Sequence, residues 1–126
     1  MEDWHLNPGA SETSIQEAIS ELGVALPSDY LSFMRSSNGG EGFIGEHYLI
    51  LWRIEELKPF NTDYEVEQYA PGILLFGSNG GGEGLGFDLR DPGMPVVVMP
   101  FIGMDLEFVI PAAATFTHLL QGDWPL

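Results

Sequence analysis

The first sustained pattern along the chain is helical. In SETSIQEAISELG, Ser11 to Gly23, the apolar residues Ile15, Ala18, Ile19 and Leu22 stand at i, i+3, i+4 and i+7 and so share one face. Ser11 or Ser14 can cap the start, Ser14 with Glu17 has the spacing of a capping box, and Gly23 is placed to close the helix in a left-handed conformation. After the link VALP, the segment SDYLSFMRSS carries a second helical stripe, Tyr30, Phe33 and Met34. Asn38 and Gly39 both tolerate positive φ and are expected to end it.

Beyond these helices the pattern changes to short apolar runs. EHYLILW (46–52), ILLFG (73–77), GLGFDLR (84–90), MPVVVMPF (94–101) and MDLEFVI (104–110) each predict a strand. RIEELKPF predicts one helical turn stopped before Pro59. NTDYEVEQYAPG reads as a polar loop with room for a short helix, and Asp91 to Gly93 as a tight turn. PAAATFTHLLQG predicts a closing helix, with Pro111 in its first turn and Gly122 after its end. Residues 1–10 are expected to be irregular. The order, two helices, then strands joined by short turns, then a helix, predicts an α+β fold. Two N-terminal helices and a C-terminal helix pack on a mostly antiparallel sheet of about five to six strands, in a single domain spanning 1–126.

Charge adds what patterning does not. Nineteen acidic residues face four basic ones, for a formal net charge of −15. Such a surface repels nucleic acid and anionic membranes, and steers a basic protein towards itself. With no cysteine there is no disulfide, thiolate metal site or thiol nucleophile. No run of eighteen apolar residues and no signal or lipidation pattern is present, which predicts a cytoplasmic protein. The densest acidic stretch holds Glu55, Glu56, Asp63, Glu65 and Glu67 within thirteen residues, opposed only by Lys58, and is the sequence's best candidate for meeting a basic partner.

The most conspicuous motif is FGSNGGGEGLGFD, Phe76 to Asp88, with six glycines in thirteen residues. It lacks the i, i+2, i+5 glycine spacing of a dinucleotide site and the Gly-Lys of a phosphate loop, and it carries Glu83, an anion. It is better read as a hairpin with a bulge, its glycines serving backbone geometry and Glu83 displayed on a mobile rim. The alternating oxygen side chains Asn61, Asp63, Glu65 and Glu67 begin like a calcium loop, but Val66 stands where that loop needs glycine and Gly72 where it needs glutamate. His5, His47 and His118 have no metal-ligand spacing, and no cofactor motif is present. Trp52 is expected in the core. Trp4 and Trp124 are expected either to pack on each other or to mark an exposed contact.

One combination goes beyond these separate signals. ELGVALPSDYLSFMRSSNGGEG joins a helix ending in Leu-Gly to Leu-Pro-x-x-Tyr-x-x-Phe and then Asn-Gly-Gly, and downstream come FGSNGGGEGLGFD and AATFTHLL. In order and spacing this resembles the SUKH superfamily, the Smi/Knr-type cell-wall-synthesis regulators and their bacterial relatives, over about residues 11–121. The resemblance places motif positions at Leu22, Gly23, Leu26, Pro27, Tyr30, Phe33, Asn38, Gly39 and Gly40, then at Gly77, Asn79, Gly80, Glu83, Phe87 and Asp88, mostly as fold determinants. It implies helices on a mostly antiparallel sheet and a non-catalytic protein-binding role. Many bacterial members resemble immunity proteins that neutralise toxins, often nucleases, whereas fungal members are regulatory. The leading expectation is therefore an immunity protein binding a basic toxin domain through Glu55, Glu56, Asp63, Glu65, Glu67 and Glu83. The alternatives are a regulatory or scaffold module, and a small enzyme using Glu83 and Asp88 as an acid/base pair.

Overall fold

Helix α1, Glu12–Leu22, starts where the Ser11 hydroxyl accepts the Ser14 N–H at 3.1 Å, so Ser11 is the cap and Ser14 lies inside the helix. Gly23, at φ 69, closes it as the pattern predicts. Helix α2, Ser28–Ser36, follows Pro27 and turns Tyr30 and Met34 into the core. Its end differs from expectation. The chain is already extended at Ser37, and positive φ falls on Gly39 but not on Asn38. Asn38 is instead buried, the one buried polar side chain among the described residues. A Cβ on Gly39 would overlap the Leu51 carbonyl oxygen, so this position needs glycine for close approach as well as for its φ of 78.

The computed structural model describes residues 3–122. Their strands are β1 His5–Leu6, β2 Gly40–Ile44, β3 His47–Leu51, β4 Ile73–Ser78, β5 Glu83–Asp88, β6 Val96–Pro100 and β7 Ile110–Ala113. They form one sheet in chain order, every neighbour antiparallel. The sheet has seven strands rather than five to six. The additional ones are β1, only two residues long, and β2, GEGFI, whose inward positions Gly40 and Gly42 hide its alternation. Trp4 supplies what Gly42 lacks: its indole fills the space of the missing side chain, and its Nε1–H donates to the Phe43 carbonyl at 2.9 Å. Trp124 lies outside the described residues.

The segment after Met104 also departs from expectation. Leu106–Phe108 form a 3-10 turn, started by the Asp105 carboxylate accepting the Glu107 N–H at 2.9 Å. Pro111 then lies in strand β7 and not in a helix; on an edge strand its missing N–H costs no ladder bond. The closing helix α5 is the shorter Phe116–Leu120, capped by Thr115. Pro59 corrects a further expectation. A 3-10 turn, Ile54–Glu56, leads into helix α3, Leu57–Asp63, with Pro59 in its first turn, where an N–H is not needed. A one-turn helix α4, Val66–Tyr69, follows.

The glycine stretch is a hairpin with a bulge, as its composition predicts. Leu75 pairs with Gly86 and Gly77 with Leu85, so Phe76 is the extra residue. Gly80 and Gly82, at φ 75 and 94, make the turn. The Phe76 ring meets Tyr30 of α2, Phe87 of β5 and Phe116 of α5 at centroid distances of 5.7, 4.5 and 5.6 Å, which locks α2 and α5 onto the sheet. Asp29 joins the two helices from outside: its carboxylate accepts the Tyr30 N–H and both the N–H and hydroxyl of Thr117.

Candidate protein-binding surface

The acidic stretch folds into the 3-10 turn, α3 and α4, and its acids divide into two kinds. Glu55 and Glu56 have structural partners. The Asn38 amide donates to Glu55 at 2.6 Å while its Oδ1 accepts the Ile54 N–H at 2.8 Å. Glu56 accepts the Arg53 N–H at 2.9 Å. Each carboxylate thus helps to start the turn that carries it. The carboxylates of Asp63, Glu65 and Glu67, all exposed, make no hydrogen bond or ion pair among the described residues.

Two of these three acids sit where the fold gains nothing from an acid. Asp63 is the last residue of α3, where the helix end disfavours negative charge by a few tenths of a kcal/mol. Glu65 joins α3 to α4 at φ 55, ψ 42, a left-handed conformation that costs a side-chain-bearing residue about 1–2 kcal/mol. Basic side chains give little relief. Arg35 is paired with Glu12 at 2.9 Å and Arg90 with Asp88 at 2.9 Å, while Arg53 and Lys58 form no ion pair among the described residues.

Beside these acids lies a groove of about 470 Å³ between the end of α1, α3–α4 and the start of β4. Leu22, Val24, Val66, Ile73 and Leu89 give it an apolar lining, and Lys58, Glu65 and Glu67 bring charge to it. Asn61 forms part of its wall and is fixed there. Its amide donates to the Leu57 and Leu75 carbonyls at 2.7 and 2.8 Å, and its Oδ1 accepts the Leu75 N–H at 2.9 Å. The side chain thereby replaces a neighbouring strand where β3 no longer pairs with β4. That role lies outside the calcium-like reading of Asn61. On the other side of the segment, Tyr64 stacks on Phe101 at 4.4 Å and on Trp52 at 6.3 Å, leaving Tyr64 partly exposed next to the acids.

Glu83 stands apart from this group. It accepts a 2.9 Å hydrogen bond from Asn79, whose Oδ1 also takes the Gly81 and Glu83 N–H groups, so the hairpin tip is tied down by side-chain bonds where a mobile rim was expected. Asp88 sits at the far end of β5 from Glu83, roughly 17 Å away along a strand, in a two-point pair with Arg90. Those bonds hold its carboxyl below the ordinary range. The two carboxylates offered as an acid/base pair are therefore not brought together. Tyr48 donates to Glu41, and that bond raises the phenol above its ordinary value. Among the described residues no three His, Asp or Glu side chains converge as a metal site.

The remaining motif positions are structural in their surroundings. Leu26, Tyr30 and Phe87 are in the core, and Gly40 and Gly77 meet neighbouring backbone where a Cβ would overlap a carbonyl oxygen. The chain matches the SMI1 / KNR4 family (SUKH-1) over residues 9–122 and belongs to that family. No curated protein sequence matches it. No helix among the described residues is long and apolar enough to cross a membrane.

Proposed function

We propose that this chain is a non-catalytic, cytoplasmic binding domain of the immunity type, which neutralises a basic toxin domain by stoichiometric association. The observation that carries the reading is the set of unpartnered carboxylates, Asp63, Glu65 and Glu67, beside a groove of mixed apolar and polar lining on a chain of net charge −15. On a chain with nineteen acids and four bases many acids have no partner; Asp63 and Glu65 stand out because they occupy positions that disfavour an acid or a side chain, which a use outside the fold explains. A toxin that acts on nucleic acid is basic for its own reasons, and an acidic inhibitor meets it quickly through long-range attraction. Family membership supports protein binding, and the separation of Glu83 from Asp88 supports a non-catalytic role.

The test is affinity capture from the native cell at low and at raised salt, with the bound proteins identified by mass spectrometry. The reading predicts a basic polypeptide with a toxin domain, released as salt rises. Capture of a housekeeping protein without a toxin domain instead supports the second reading, a regulatory module, which the same family match favours through the regulators that this chain's motifs resemble.

A further inference from the structure

We infer that the groove between α1, α3–α4 and β4 is a socket for one arginine side chain of the partner. This deepens the binding-domain reading and rests on it. The walls set the occupant. Leu22, Val24 and Leu89, each half-buried, offer apolar surface for the methylene stem of a long side chain. Glu65 and Glu67 bring two carboxylates to the same groove, neither holding a partner among the described residues. A partly apolar groove lined also by two glutamates and a single lysine matches a guanidinium better than an ammonium. Guanidinium is planar, weakly hydrated and able to donate to two carboxylates at once.

Other charges at the groove agree in sign. Lys58 is the one cation among its lining residues, so two negative charges face one positive. Arg90 packs over Gly72 at the groove's edge, but Asp88 already neutralises it. An anion or phosphate would meet net negative charge.

The test uses the full chain, isotope-labelled for amide NMR, titrated with the pentapeptide Ac-Ala-Ala-Arg-Ala-Ala-NH2 and with its lysine and citrulline counterparts. The socket predicts amide shifts confined to residues 22–24, 58–74 and 89, tightest binding for arginine and none for citrulline. Glu65→Gln with Glu67→Gln weakens arginine-peptide binding by about tenfold or more. Lys58→Met, by removing the competing cation, tightens it. Glu17→Gln, on α1 and not among the groove's lining residues, leaves it within about twofold. If the double groove variant loses its dispersed spectrum, Lys58→Met and Glu67→Gln alone still give the opposite signs required. Shifts spread over every acidic face, equal binding of lysine and arginine peptides, or equal loss from the α1 variant overturn the socket. Should the peptide occupy the groove while cells yield no basic partner, the socket stands and the toxin reading fails. Should a toxin domain bind without regard to Glu65 and Glu67, the toxin reading stands and the socket fails.

Discussion

The Asn61 side-chain amide pairs with both polar backbone atoms of Leu75, accepting its N–H at 2.9 Å and donating to its carbonyl at 2.8 Å. One side chain thus finishes the hydrogen bonding of β4 where β3 departs, and it fixes α3, with its acids, against the sheet. Asn61→Ala leaves those groups without their partner and is expected to cost roughly 2–3 kcal/mol, read as a lower urea midpoint with an unchanged slope. A loss below about 0.5 kcal/mol would show that water replaces the amide without penalty.

Asn38 and Glu55 form the matching anchor at the start of the acidic segment. Asn38→Asp sets one carboxylate against another in a buried place, and a loss of about 3 kcal/mol or more is expected. Adding Glu55→Gln restores a donor opposite the new acceptor. The double variant is expected to recover about 1 kcal/mol or more in the same urea measurement. Simple addition of the two single losses would mean that the 2.6 Å contact has no energetic weight.

Glu65 separates the needs of fold and function. Glu65→Gly relieves the left-handed strain, less the entropy that glycine loses on folding, and is expected to stabilise the chain by roughly 0.5–1 kcal/mol. Glu67→Gly, inside α4, is expected to destabilise it by about 1 kcal/mol. Thermal unfolding of the two variants distinguishes these signs, and a destabilised Glu65→Gly would mean that the side chain itself holds the α3–α4 joint.

Asp88 gives a pH signature. Hydrogen bonds from Arg90 lower its folded pKa below the unfolded value of about 3.9. The pair's contribution is therefore complete above the unfolded value and is lost as pH falls through the folded one. Wild type is expected to exceed Asp88→Asn in urea midpoint at about pH 7, with the gap closing towards about pH 2. A gap that stays constant with pH would mean that the charge of Asp88 adds nothing beyond its polar contacts.

What the sequence reveals follows how local the cause is. Gly23 ends α1 and Gly80 with Gly82 turn the hairpin because backbone conformation is decided within a few residues. Strand β2 escapes pattern reading because two of its inward positions are glycines, one of them filled by Trp4 from thirty-eight residues earlier. Pro111 fits either a helix start or an edge strand, and only the pairing of β6 with β7 decides. The acidic cluster is visible as composition, but its division into Glu55 and Glu56, tied to the fold, and Asp63, Glu65 and Glu67, left without partners, depends on where Asn38 and Arg53 come to lie. The groove joins residue 22 to residue 89, a distance in sequence that no local pattern spans.

The central claim is that α3–α4 presents its unpartnered acids to a basic protein. Its most direct measurement is the equilibrium affinity of the partner captured from native cells, across a range of salt, for wild type and for the combined variant Asp63→Asn, Glu65→Gln, Glu67→Gln, which spares Glu55 and Glu56. The account predicts binding that weakens steadily with salt in wild type. In the variant it predicts affinity at least about tenfold lower and a visibly flatter salt dependence. Equal affinity and equal salt dependence in the two proteins would contradict it.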